Sequence, residues 1–373
     1  MKAVCDRATL TQGVQVAAGI APHRSPKPIL GCVKLDAQEG RITLLATDLE
    51  VGIRISLDKI ETSESGSALV PADRFHAILR ELDAETVTLT ANQQETEIVA
   101  PGARFKVLGD DPADFPNIPD FPESGAFTIG ADDLVGMIKR VVFATARENT
   151  RYALNGVLWN VEGKKLALVA TDGRRLSMAK GKCEGGPEKK VEAIVPSKAM
   201  RLIERCLGDG TDAKAKVQVA LSEKDILVKV SPASGGCWVV YSRLVDGHFP
   251  KYEDVIPKDC DKKVGLVTQA FLCGVRKAAV LTTEESHAIH LRFADKEVVL
   301  TSRTPEMGEA EVRVSTDYEG EPMEFAFAPT FLTDALKVMD SEEFTFAFKG
   351  SSKPGVMTEG RLFTYVVMPV SVV

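Results

Sequence analysis

Residues 168–181 read LVATDGRRLSMAKG, and residues 44–57 read LLATDLEVGIRISL. An Asp-Gly pair between apolar runs makes a tight strand-to-strand turn, because Gly accepts positive φ at no steric cost. The Ala-Thr-Asp triplet occurs at both places, 124 residues apart from Asp48 to Asp172. Ahead of the triplets run PILGCVKL (28–35) and ALNGVLWNV (153–161). Behind them run ALVPADRFHAILREL (68–82) and AIVPSKAMRLIERCL (193–207), then FKVLGDDPADFPNI (105–118) and YSRLVDGHFPKYEDVI (241–256). The local turn is therefore part of a long internal repeat.

A fainter third copy follows in HAIHLRFADKEVVLTS (287–302), FAFAPTFLTDALKVM (325–339) and FTYVVMPV (363–370), with Ser302 near the triplet's place. The opening helices align around a glycine in LTQGVQ (10–15), LVGMIK (134–139) and FLCGVR (271–276). Apolar residues such as Leu134, Met137, Ile138 and Val141 fall at helical spacing, whereas Ile42, Leu44 and Ala46 alternate as in a strand. Each repeat reads as helix, strands, helix, strands, so the fold class is α+β: three repeated domains, each with two helices packed on antiparallel sheet. The Pro-rich stretch at 116–125 and the segment 251–263 place the domains at 1–124, 125–252 and 253–373.

Composition narrows the function. The 373 residues include seven cysteines without a Cys-x-x-Cys pair, which fits a reducing cytoplasm. The first residues lack the apolar run of a signal peptide, and no stretch reaches the length of a membrane span. Phosphate-cradling glycine loops are missing, and no local signature assembles a nucleophile with its base. His287 and His290 would fall on opposite faces of a strand, so no metal is expected there. Paired acids occur at Asp110–Asp111 and Asp132–Asp133, and the second pair reads as the capped start of a helix. Asp48 and Asp172 occupy equivalent places, which favours a structural turn former over a catalytic acid. A metal-dependent DNA hydrolase using either aspartate stays as the competing class, and a monomeric peptide-binding scaffold as a third.

The net charge of −7 speaks against grip on nucleic acid by bulk charge. Its distribution says more. Six helices, at roughly 6–17, 73–82, 132–143, 197–207, 269–280 and 330–339, carry eleven bases against seven acids. The bases include Arg74, Arg80, Lys139, Arg140, Lys198, Arg201, Arg205, Arg276 and Lys277. No aromatic residues interleave with them, so sequence-blind contact with duplex phosphates fits better than stacking on single strands.

Taken together, ATDLE, VATDGRRL, RYALNG, DFPNI, LVDGHFPKY and YVVMPV resemble the bacterial DNA polymerase III beta subunits, the sliding clamps, from Met1 to Val373. The resemblance implies a head-to-tail homodimer closing into a ring, with helices around the hole and sheets outside. It implies a non-enzymatic processivity factor, without cofactor or metal, that encircles double-stranded DNA and tethers the polymerase. Partners would be the polymerase III alpha subunit, the clamp loader, and other polymerases and repair proteins carrying short clamp-binding peptides.

Their pocket would comprise Arg151 and Leu154, then Thr171, Gly173, Arg174, Arg175 and Leu176 of the turn, with both arginines at its rim. Pro250, Val255 and Phe331 would join it, with Val366, Val367, Met368, Pro369 and Val370 of the tail. Arg24 and Arg147 would face DNA beside the helix bases. The dimer seam would join Arg74, Arg104, Phe105 and Val107 to Val280, Leu281, Glu306 and Glu309. Two departures bear on ligand preference: the tail runs MPVSVV, and Asp254 stands where a basic residue is common.

Overall fold

The computed structural model describes the chain apart from residues 23, 93, 147–151, 209–214, 233–234, 283–287, 306 and 371–373, and the side chain of residue 152. The first repeat runs β1 (Lys2–Asp6), α1 (Arg7–Ala18), β2 (Cys32–Gln38), β3 (Arg41–Thr47), β4 (Val51–Asp58), β5 (Glu61–Glu64) and β6 (Gly66–Pro71). It ends with α2 (Ala72–Glu81), β7 (Thr86–Ala91), β8 (Glu95–Ala100) and β9 (Ala103–Leu108). The second runs β10 (Phe127–Gly130), α3 (Ala131–Val142), β11 (Gly156–Glu162), β12 (Lys165–Thr171), β13 (Arg175–Lys182) and β14 (Val191–Pro196). After α4 (Ser197–Gly208) come β15 (Lys216–Leu221), β16 (Asp225–Val230) and β17 (Cys237–Arg243). The third runs β18 (Lys262–Val267), α5 (Thr268–Ala278), β19 (Ile289–Ala294), β20 (Glu297–Thr304), β21 (Gly308–Ser315) and β22 (Met323–Phe327). It closes with α6 (Pro329–Leu336), β23 (Glu343–Phe348), β24 (Gly355–Glu359) and β25 (Phe363–Val367). All six helices expected from the sequence are present.

Four antiparallel sheets result, in the orders β5-β1-β7-β8-β9, β10-β15-β16-β17-β4-β3-β2-β6, β14-β11-β12-β13-β25-β24-β23-β18 and β21-β20-β19-β22. The two eight-stranded sheets each join strands of neighbouring repeats, β4 to β17 and β13 to β25. The chain accordingly divides into two compact units that cut across the repeats. One holds residues 1–135, 183–188 and 198–244, the other 136–182, 189–197 and 245–373.

The shared helix glycines have different surroundings. A Cβ on Gly13 would lie 2.8 Å from Leu44 Cδ1, and one on Gly274 2.8 Å from Val314 Cγ2, so α1 and α5 approach their sheets through the missing side chain. A Cβ on Gly136 of α3 meets nothing within 4 Å. Helical Gly costs about 1 kcal/mol relative to Ala, whereas crowding a packed core costs about 1–3 kcal/mol. Gly136→Ala should therefore raise the urea midpoint and Gly13→Ala lower it. Equal shifts for the two would contradict this packing.

Two buried thiols give the fold a pH signature. Burial, reinforced by the neighbouring Asp6, pushes Cys5 up to about 12. Burial, with Asp110 adding to it, pushes Cys32 up to about 11. The unfolded chain loses these protons near pH 9 while the folded chain keeps them. Stability contributed by the two groups is thus whole below pH 9 and is lost as pH rises through 9 towards 11–12. Native protein at pH 8 should leave both thiols unmodified by a thiol reagent, and unfolded protein should not.

Candidate functional site

Cross-strand register assembles an apolar row on the third of these sheets. Ile194 faces Leu158, Leu158 faces Val169, and Val169 faces Met178, so four strands contribute one residue each. Leu176 and Val366 form the next pair along β13 and β25. These six residues are buried and cluster with Tyr252, while Ala153, Val245, Phe249 and Ile256 pack against them. Successive strand residues point to opposite faces, and Val367 accordingly belongs to the separate core of the third repeat.

The equivalent rows of the other repeats are interrupted. In the first repeat the register gives Leu69, Lys34, Leu45 and Arg54, with Gly52 in the place of Leu176. In the third it gives Ala326, His290, Thr301 and Glu311, with Glu309 in that place. Charges sit where the second repeat has leucine and methionine. One uninterrupted apolar face therefore exists among three copies of one framework, and the repeated turn does not imply a repeated site.

The turn at the end of the row is built by its aspartate. Asp172 Oδ1 accepts from the Arg174 and Arg175 N–H groups at 2.9 and 3.0 Å, and Thr171 Oγ1 donates to the Arg175 carbonyl at 2.6 Å. Asp48 does the same for Glu50 and Val51 at 3.0 and 2.8 Å. Gly173 takes φ 88°, where the first repeat holds Leu49 at φ 81°. Both aspartates are spent on their turns, as the turn-former reading requires.

Arg175 corrects the expectation of two rim arginines. Only 7% exposed, it donates from Nε to Asp172 at 3.0 Å, from Nη1 to Asp334 at 2.8 Å and from Nη2 to the Phe143 carbonyl at 2.9 Å. Its guanidinium also lies 4.6 Å from the Phe331 ring centroid. Burial opposes its charge, but Tyr365, Asp334 and Asp172 outweigh that, so it remains a cation. Arg175 is a positioning residue that ties the turn to α6, and Arg174 is the exposed one. Beside them, Met368 N–H donates to the Arg174 carbonyl and Val370 N–H to the Ala326 carbonyl, at 3.0 and 2.8 Å. Met368 and Val255 remain 40% and 46% exposed. Pro250 is exposed, Pro369 and Phe331 are half-buried, Leu154 and Thr171 are buried, and Arg151 lies outside the described residues.

Missed from sequence were Leu158, Val169, Met178, Ile194, Phe249 and Tyr252. Aligning the repeats position by position would have singled out Leu158 and Met178, which stand where the first repeat has Lys34 and Arg54, whereas the other four replace residues that are themselves uncharged. Burial raises the Tyr252 pKa, and its hydroxyl lies 3.4 Å from Asn160 Nδ2.

Arg24, Arg74, Arg80, Lys139, Lys198, Arg201, Arg276 and Lys277 are exposed, and Arg147 is outside the described residues. Two of the helix bases depart from a free cationic surface. Arg140 Nη2 donates to Asp340 and Glu359 at 3.0 and 2.9 Å, and its side chain is 19% exposed. Arg140 is thereby set apart from the exposed helix bases, because its charge is committed to Asp340 and Glu359 of the third repeat. Arg205 reaches back to the Gln15 carbonyl at the end of α1, at 3.1 Å. Lys198 pairs with Asp48 while staying half-exposed.

Two strand edges lie open where their counterparts are paired. β9 ends the five-stranded sheet, although β17 and β25 in the same place are bonded to β4 and β13. β21 ends the four-stranded sheet, although β4 and β13 are bonded. Arg104, Phe105 and Lys106 are exposed on β9, Glu309 and Glu311 on β21. Val280, Leu108 and Met307 are 69%, 72% and 49% exposed, whereas Val107 is buried and Leu281 half-buried. Glu306 and His287 lie outside the described residues. His290 pairs with Glu324 at 3.1 Å.

Comparison with known proteins follows this architecture along the whole chain. Models of the DNA polymerase III beta subunit match its N-terminal domain at residues 1–119, its central domain at 128–251 and its C-terminal domain at 253–371. The beta sliding clamp of Pseudomonas putida is 32% identical over 368 residues, covering 97% of this chain and 98% of that protein. That of Chlamydia muridarum is 29% identical over 370 residues, covering 99% and 98%. Among solved structures, the DNA polymerase III subunit beta of Pseudomonas aeruginosa superposes over all of both chains with TM-score 0.92 at 30% identity. The griselimycin-bound sliding clamp of the same organism gives TM-score 0.92 at 30% identity, again over both whole chains. The chain belongs to the DNA polymerase III beta subunit family, the beta sliding clamps of DNA replication.

Proposed function

We propose that two copies of this chain associate head to tail through β9 of one and β21 of the other, closing a ring around duplex DNA. The observation carrying this reading is the pairing rule inside the chain. At each junction the third strand after a repeat's first helix pairs with the last strand of the next repeat, β4 with β17 and β13 with β25. Applied once more, the rule joins β21 to the next copy's β9. A heterologous contact of this kind either closes into a ring or runs on as a filament, and the clamp family supports closure.

The rule also supplies a register. Gly52 faces Tyr241 and Leu176 faces Val366. The equivalent residues are Glu309, from the β20–β21 register, and Lys106, counted from the matching Gly109 and Leu244 N–H bonds. Glu309 then stands opposite Lys106 of the partner subunit, and Glu311 opposite Arg104 of the partner subunit. At each internal junction the turn also bonds a second helix, Asp48 to Lys198 and Arg175 to Asp334. Glu306 or Glu309 facing Arg74 of the partner subunit would repeat that bond.

Enclosure removes any need for tight binding. Exposed bases on the helices hold DNA loosely through its phosphates, without sequence preference and with strong salt dependence. The chain adds processivity and carries out no chemical step. The apolar row, with Arg174, Val255, Pro250 and Met368 around it, docks short peptides of the polymerase, the clamp loader and repair proteins. Residues 1–124, 125–252 and 253–373 are its three clamp domains, and its setting is the cytoplasm. Native mass spectrometry tests the assembly: a mass of twice 40.3 kDa is expected, and a lone 40.3 kDa species at micromolar concentration would overturn the ring.

A further inference from the structure

The two segments that cross the apolar rows differ by one ion pair. In the first repeat the segment at 115–121 lies over its row: Ile118 Cδ1 comes within 3.2 Å of where a Cβ on Gly52 would stand. Arg54 pins it there. Its Nη2 donates to the Ile118 carbonyl at 3.0 Å, and its Nε lies 3.1 Å from Asp120 Oδ1. In the second repeat the matching segment places Phe249 at Phe115, Tyr252 at Ile118 and Asp254 at Asp120. Tyr252 is buried against the row as Ile118 is. The residue in the place of Arg54, however, is Met178.

The acid has therefore been kept and its cation lost. Asp254 is exposed, and no described residue forms an ion pair with it. Met178, 6% exposed, adds apolar surface where Arg54 carried charge. A ligand covering the row meets a carboxylate two residues beyond Tyr252, at a place where the sister repeat seats a guanidinium.

We infer that Asp254 is a specificity-determining residue of the peptide site, and that its ligands bring an arginine or lysine beside their apolar anchors to replace the missing Arg54. The inference rests on the peptide-docking reading. An ion pair at the rim of an apolar contact acts chiefly on selectivity and salt dependence.

Fluorescence anisotropy on the full chain tests it with two labelled eight-residue peptides. Both carry the same leucine and phenylalanine anchors, and one flanks them with arginine where the other has glutamate. The arginine peptide should bind at least about fivefold tighter at low salt, with the gap closing at high salt, and Asp254→Lys should invert the order. A preference unchanged by Asp254→Lys, or no preference at all, overturns the inference and leaves the docking face standing. Failure of both peptides to bind overturns the docking face and the inference together.

Discussion

Reversing both bases of β9, Lys106→Glu with Arg104→Glu, is expected to turn the dimer into monomers. Each copy would then set like charges directly opposite Glu309 and Glu311 of its partner. A cross-strand charge pair contributes roughly 0.2–1 kcal/mol, and a like pair costs a similar amount. Reversal thus shifts each pair by about 0.4–2 kcal/mol, and closing one ring involves two seams of two pairs, about 5 kcal/mol in the middle of that range. Association should weaken by about a thousandfold or more, read by sedimentation at low salt. Adding Glu309→Lys and Glu311→Lys to the same chain should restore the dimer. The restored variant also controls for the intrachain Arg104–Glu97 and Lys106–Glu95 pairs, which the reversal breaks. A doubly reversed chain that stays dimeric would refute the register.

Arg175→Ala is expected to be the most damaging single substitution near the turn. It strands Asp334 and the Phe143 carbonyl and removes the cation stacked on Phe331. Breaking a buried pair by deleting one partner costs about 3–5 kcal/mol. With Asp172 and Asp334 partly solvated, 19% and 29% exposed, a loss of about 3 kcal/mol is expected. Urea unfolding followed by a probe in residues 245–373 reads it. Arg175→Lys should rescue little, because an ammonium cannot fork to three acceptors. Arg174→Ala should change stability by less than about 0.5 kcal/mol. Equal effects at 174 and 175 would return both arginines to the rim.

The same geometry decides how the tail can be tested. Val366 and Val367 are 1% and 0% exposed and paired in β25. Deleting residues 366–373 removes core along with binding surface. Deleting 368–373 spares the strand.

Much of this molecule was legible before its structure. The repeats, the six helices and the aspartate-built turn are local patterns, carried by residues close together in the chain. The tail beside the turn was legible only through family resemblance. What stayed hidden depends on register between distant strands. Leu176 and Val366 meet across 190 positions, and Met178 joins Ile194 only through two intervening strands. Charge misled for the same reason: Arg140 and Arg175 look like surface bases until Glu359 and Asp334 fold beside them. Composition cannot tell a cation that awaits a phosphate from one already paired.

Enclosure of DNA is the central claim, and topology tests it most directly. The protein, placed by its loader on nicked circular DNA, is washed in high salt, and the circle is then cut once. Retention through the wash followed by release on cutting is the expected result. Loss in the salt wash, or persistence on the linear product, would contradict a closed ring.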